Sequence, residues 1–280
     1  GMIRLEKRPQ PSRAWSMATP LVAVLATMVM GGLLFATLGK NPVEAIRTIF
    51  WEPLFGEFFF GTDQIGRDML TMLIYGARNM IALALLTTAC AFGLGSLLGF
   101  LAATMGGWVD QVLSRFVDVV ISIPTLIFAL IVLSSTGTSI LALVTVIAII
   151  YAMPVYRIAR AVAMDIEVMD YVEAARLRGE GLWWIMRKEI LPNALTPLAA
   201  EFGLRFCFVF LLISGLSFLG LGLQPPLADW GAMVRDNGGG IAWGFMHPLV
   251  PATCIALLTI GINLIVDSAV QKASGLREDH

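Results

Sequence analysis

Long apolar runs separated by short polar stretches set the pattern of this chain. Runs of roughly 20 residues occur at about Met17 to Leu38, Met80 to Met105, Val117 to Leu133, Ile140 to Tyr156, Leu198 to Leu219 and Pro248 to Val270. A helix rises about 1.5 Å per residue, so runs of this length suit a hydrocarbon layer of ~30 Å. None alternates with the period of two that a barrel strand needs, and backbone groups in lipid must be satisfied within the segment or by a closed barrel. The pattern predicts an all-α, polytopic membrane protein of about six transmembrane helices.

Composition agrees: 58% of residues are hydrophobic and 14% charged, and the mean hydropathy is +0.81, all outside the soluble range. The first run is too long for a signal-peptide core and lacks a small-residue cleavage site before Lys40, so it reads as a retained first helix. The formal net charge of -1 hides an uneven distribution. Arg4, Lys7, Arg8 and Arg13 precede the first run, and Arg115, Arg157, Arg160, Arg176, Arg178, Arg187, Lys188, Lys272 and Arg277 fall on the same expected side. Fewer cations, among them Lys40, Arg47, Arg67, Arg78 and Arg235, fall on the other. By the positive-inside rule both termini and the long polar connection Arg157 to Pro197 are cytoplasmic. In the first outer loop, Asn41-Pro42 followed by Val43, Ile46, Ile49 and Phe50, then Trp51 and Phe55 to Phe60, predicts an amphipathic helix on the outer surface.

The long connection carries the most specific signal. It holds Tyr171-Val172-Glu173-Ala174-Ala175-Arg176-Leu177-Arg178-Gly179 and later Ile190-Leu191-Pro192. Acidic Asp165, Glu167, Asp170 and Glu173 open the segment and Arg176 and Arg178 close it, which suits a helix dipole, while Gly179 can stop the helix in the left-handed region. Glu-Ala-Ala, a glycine and a Leu-Pro at these spacings resemble the cytoplasmic signature of permease subunits in ATP-binding-cassette importers. In that family the segment is a short coupling helix docking on the ATPase. The resemblance gives this role to Glu173, Ala174, Ala175, Gly179, Leu191 and Pro192, although Glu189 stands where the broad family has isoleucine.

Two further stretches narrow the branch. Gly61-Thr62-Asp63-Gln64-Ile65-Gly66-Arg67-Asp68 with Tyr75-Gly76-Ala77-Arg78, and Ser217-Phe218-Leu219-Gly220-Leu221-Gly222 followed by Pro225, Pro226 and Trp230-Gly231-Ala232-Met233, resemble the second permease subunit of dipeptide, oligopeptide and nickel importers. The likeness spans Gly61 to about Asp267. It implies a type I importer permease fold, a bacterial inner-membrane location, and as partners a homologous permease subunit, two ATPase subunits, a periplasmic substrate-binding protein and membrane lipid, with no nucleic acid. Residues 1–58, by contrast, resemble the opening of nucleoside or simple-sugar permeases, which raises a fusion junction near Phe58 to Gly61. The organisation expected is 1–60 as tail, first helix and surface helix, and 61–280 as the permease core with the coupling segment at 157–197.

Other residues carry open readings. Asp63, Arg67 and Asp68 read either as a tight polar turn or as gating contacts. Glu201 and Arg205, spaced i and i+4 within the membrane, read as an inner-gate or interface brace, or as a pore-lining pair that meets substrate. Gly93, Gly95 and Gly99 read as a helix-packing face, and Pro124 and Pro154 as helix bends. No nucleotide-binding loop, nucleophile elbow or His-Glu-x-x-His motif occurs. Cys90, Cys207 and Cys254 stand apart, without disulfide or metal spacing. The expectation is a non-enzymatic permease with no cofactor or metal; a nucleoside or sugar permease, and a stand-alone channel or secondary transporter, are the alternatives.

Overall fold

The computed structural model describes residues 61–63, 65–243 and 247–273, so the expected first helix and surface helix lie outside the described residues. The chain divides into two compact units, Gly1–Leu70 and Thr71–His280. The described elements are α1 (Met69–Met105), α2 (Gly107–Ser122), α3 (Thr125–Thr136), α4 (Ile140–Glu167) and α5 (Asp170–Leu177). They continue with α6 (Leu182–Phe218), which contains a π-helical stretch Met186–Ile190, then α7 (Trp230–Asn237), a short 3-10 helix Gly238–Trp243, and α8 (Leu249–Ala273).

Among the described residues α1, α4, α6 and α8 are each long and apolar enough to cross a membrane. The run read as one helix from Val117 to Leu133 is instead a broken pair, with α2 and α3 bent by 87°. Pro124 explains the break. Proline drives the preceding residue out of the helical region, and Ile123 is extended at φ -84° and ψ 127°. Pro154 and Pro197, in contrast, lie inside α4 and α6 without ending them. At Pro192 the chain stays helical behind the π-helical stretch, with Leu191 N–H donating to the Met186 carbonyl and the Asn193 amide capping the Glu189 carbonyl at 2.7 Å. A π turn is one way a helix absorbs a residue that cannot donate its own N–H.

The membrane helices also run further than hydrophobicity alone predicts. α1 begins at Met69, not Met80, because Asp68 caps it by accepting from Leu70 N–H at 3.2 Å; Tyr75 to Arg78 are therefore helical. α4 continues past Tyr156 to Glu167 and α6 starts at Leu182, so most of the expected polar connection belongs to the ends of these two helices.

Glycines let the backbones of α1 and α4 meet. A Cβ on Gly95 would lie 2.6 Å from the Ala152 carbonyl, and one on Gly99 would lie 2.8 Å from Arg160 N. These two residues bring α1 onto α4, as a small-residue face should. Gly93 takes no part, since a Cβ there would meet nothing within 4 Å. α6 packs on α4, α7 and α8, and α2 and α3 pack on α4.

Candidate functional site

The short helix α5 sits between the C-terminus of α4 and the N-terminus of α6. Asp170 and Glu173 occupy its first turn and Arg176 its last, so charge and helix dipole agree. Its end is a full Schellman motif: Gly179 is at φ +84°, Gly179 N–H donates to the Arg176 carbonyl at 2.9 Å, and Glu180 N–H to the Ala175 carbonyl at 3.2 Å.

One face of α5 is anchored and the other is open. Val172 and Ala175 are fully buried in an apolar cluster with Ala163, Ile166, Ile185 and Ile190. Glu173, Ala174 and Leu177 are exposed, Leu177 to 83%. The sequence-expected residues thus divide: Ala175 is an anchor, Glu173 and Ala174 face outward, and Gly179 shapes the exit. Leu191 and Pro192 do not join the exposed face; they lie at the π-to-α junction of α6, where Ile190 reaches the cluster and Leu191 lines a cavity on another side. Trp183 and Trp184 also separate: Trp183 is 64% exposed, whereas Trp184 packs on the cluster with the Arg178 guanidinium 5.8 Å above its ring.

Arg176 ties this end of the bundle together. Its guanidinium pairs with Glu167 at the end of α4 and reaches the Thr104 carbonyl of α1 at 3.5 Å. Beside it, Arg160 on α4 grips Asp110 on α2 with both ends of its fork, Ser114 and Tyr156 share a hydrogen bond of 2.9 Å, and Arg157 pairs with Asp118 at 2.5 Å. Sequence reading missed both the Asp110–Arg160 and the Asp118–Arg157 pairs. Only the polar positions of α2, spaced at Asp110, Ser114 and Asp118 on one helical face, signalled them.

Within the membrane, Glu201 and Arg205 form the expected i, i+4 ion pair, each about one-fifth exposed. Arg205 also lies 5.8 Å from the Phe208 ring centre and lines a small cavity of about 130 Å³ with Tyr151 and the residues of the α2–α3 break. Asp267 is exposed on α8. The Gly61 to Asp68 motif is a closed turn. Asp63 is buried; its Oδ1 accepts from the N–H groups of Ile65 and Arg67 at 2.9 and 2.8 Å, and its Oδ2 from Arg67 Nε at 2.6 Å.

At the opposite end of α6, a second Schellman motif closes on Gly220, with Leu221 N–H donating to the Leu216 carbonyl at 2.8 Å. Asp229, 1% exposed, caps α7 through Ala232 N–H at 3.0 Å and accepts from the Ser217 hydroxyl at 2.6 Å. Burial pushes its carboxyl above the usual range despite those hydrogen bonds. Trp230 then reaches back to α1, its indole N–H donating to the Leu73 carbonyl at 2.8 Å.

The family model described as "binding-protein-dependent transport system inner membrane component" matches residues 95–273. The chain belongs to this family. The permease is 32% identical over 251 residues to a probable D,D-dipeptide transport system permease protein of Escherichia coli, covering 89% of this chain and 83% of that one. It is 35% identical over 257 residues to a di/tripeptide transport system permease protein of Pseudomonas aeruginosa, covering 85% and 84%. Its fold matches the inward-facing MetNI methionine ABC transporter with a TM-score of 0.59 at 19% identity, over 73% of this chain and 97% of that one. This is the type I importer permease fold. The permease is accordingly a multi-pass inner-membrane subunit of an ATP-driven importer, working with ATPase subunits and a substrate-binding protein. ATP hydrolysis belongs to those separate subunits. Among the described residues no group of three His, Cys, Asp or Glu side chains gathers as a metal site.

Proposed function

We propose that this permease forms half of a pathway for di- and oligopeptides, paired with a homologous permease subunit, and that α5 transmits ATPase motion to it. The observation that carries the reading is the two-faced α5: Val172 and Ala175 locked into the membrane-helix ends, Tyr171, Glu173, Ala174 and Leu177 open to a partner. Push on the open face moves α4 and α6 together, because the apolar cluster and the Arg176–Glu167 pair join α5 to both. The peptide class rests on the relatives, whose names specify D,D-dipeptide and di/tripeptide transport.

In this reading α5 and both termini face the cytoplasm. Glu201–Arg205 braces the inner gate, and Asp63, Arg67 and Asp68 form the structural turn that starts α1. Residues 1–60 are a segment of separate origin, so removing them would leave the core helices folded. The test of the main reading is a Leu177→Cys variant cross-linked in the assembled transporter. A cross-link to an ATPase subunit that changes with ATP is expected; reaction with no partner subunit would refute the docking role.

A further inference from the structure

A cavity of about 610 Å³ opens between α1 and the first half of α6, within the ~300–1,000 Å³ that holds small-molecule guests. One stripe of α6 lines it, Trp183, Arg187, Leu191, Leu195 and Ala199, at steps of four residues. Arg187 is the one charged residue in the lining. Everything beyond it along the stripe is apolar.

We infer that this cavity is a lipid site that takes an acyl chain of an anionic phospholipid, with Arg187 on the phosphate. The inference needs only that α1 and α6 span the membrane, and stands apart from the substrate and coupling readings. The order of residues along the stripe supports it: Trp183 and the charged Arg187 come first, and the apolar Leu191, Leu195 and Ala199 follow toward the membrane run of α6. Trp183, 64% exposed one turn before Arg187, sits where an interfacial tryptophan marks headgroup depth.

Charge supports it too. At this end of the bundle Arg157, Arg160 and Arg176 each hold a carboxylate. Arg187, the charged residue of the lining, pairs with none among the described residues. Basic pockets between membrane helices attract anionic headgroups, at ~1 kcal/mol per cation. An apolar protein helix laid in the same groove would leave the guanidinium uncompensated.

Gly93 makes the room. Glycine inside a helix costs ~1 kcal/mol against alanine, and Gly95 and Gly99 justify it by touching α4. Gly93 touches nothing within 4 Å of a Cβ and lines the cavity. Its absent side chain keeps the space open.

The test uses the full-length chain purified with its partner subunits and titrated with brominated phosphatidylglycerol or brominated phosphatidylcholine. The Trp183 contribution is taken as the difference from Trp183→Phe. Quenching of Trp183 is expected at about fivefold lower concentration for phosphatidylglycerol. Arg187→Gln should erase that preference, and Gly93→Phe should abolish quenching by both lipids with the thermal midpoint unchanged. Equal quenching by the two headgroups, or a preference that survives Arg187→Gln, would overturn the inference. So would Trp183 emission blind to both lipids, which would mean that protein fills the cavity, either the Met17 to Leu38 segment or a second permease.

Discussion

Gly76 and Trp230 fit so closely that a Cβ on Gly76 would sit 2.7 Å from the indole Cδ1. The ring cannot retreat. Its N–H is held by the Leu73 carbonyl and its other side meets Phe210 edge-on at 6.1 Å. Gly76→Ala, which in an open helix would stabilise by ~1 kcal/mol, should here destabilise by ~1–3 kcal/mol through overpacking. Thermal unfolding of the purified protein checks it, with Gly93→Ala as the control that should be neutral or stabilising.

Gly179→Val should uncouple transport from ATP hydrolysis. A Cβ at Gly179 meets no atom within 4 Å, so the penalty is confined to the backbone: φ +84° costs an L-residue ~1–2 kcal/mol and more for a β-branched one. The membrane helices should stay folded while α5 loses its Schellman exit. Substrate-stimulated ATPase activity in proteoliposomes should drop severalfold; unchanged stimulation would remove Gly179 from the coupling path.

Asp229 predicts a pH dependence of stability. Its folded carboxyl lies above the usual ~3.9, so between those two values the folded state binds more protons than the unfolded state. By linkage this contribution to stability falls as pH rises through that window and is constant above it. Denaturant midpoints measured from pH 4 upward should show the decline in the wild type, and the difference between wild type and Asp229→Asn should isolate it.

Asp110 and Arg160 should couple in a double-mutant cycle. The pair is partly buried, with side chains 20% and 29% exposed, and Ser114 adds to the network. Asp110→Ala strands the Arg160 guanidinium, so the single variants should each cost more than their share, with an interaction energy of ~1–3 kcal/mol. Additive single and double variants would show that the pair contributes nothing.

The orientation is tested at Glu180, next to the Gly179 turn, where a cysteine keeps the backbone bond to Ala175. Glu180→Cys should react with a membrane-impermeant maleimide in inverted vesicles only. Labelling in intact cells would reverse the topology.

Helix type and membrane solvent were legible in the sequence because both follow from local sums: enough apolar residues in a row must be helical in lipid. The polarity of α5 was legible for the same reason, since Asp170, Glu173, Arg176 and Gly179 act within two turns of one another. Pro124 announced a bend, but its size did not follow from the residue alone; Pro154 and Pro197 have the same chemistry and leave their helices running. Helix ends were misjudged wherever charges continue the helix, as at Arg157 and Arg160, because those charges are satisfied by Asp118 and Asp110 on another element.

The sequence by itself therefore determined the class of protein, four of its membrane runs, the charge order of α5 and the family. Tertiary structure alone decided which face of α5 is free, which glycines pack and which opens a cavity, and which carboxylate each arginine meets. The physical reason is range. Burial and helix signals add up over neighbouring residues, whereas Asp110 and Arg160 lie 50 positions apart and Leu73 and Trp230 lie 157 apart. Pairs at that separation exist only once the path of the chain has brought them within 3 Å.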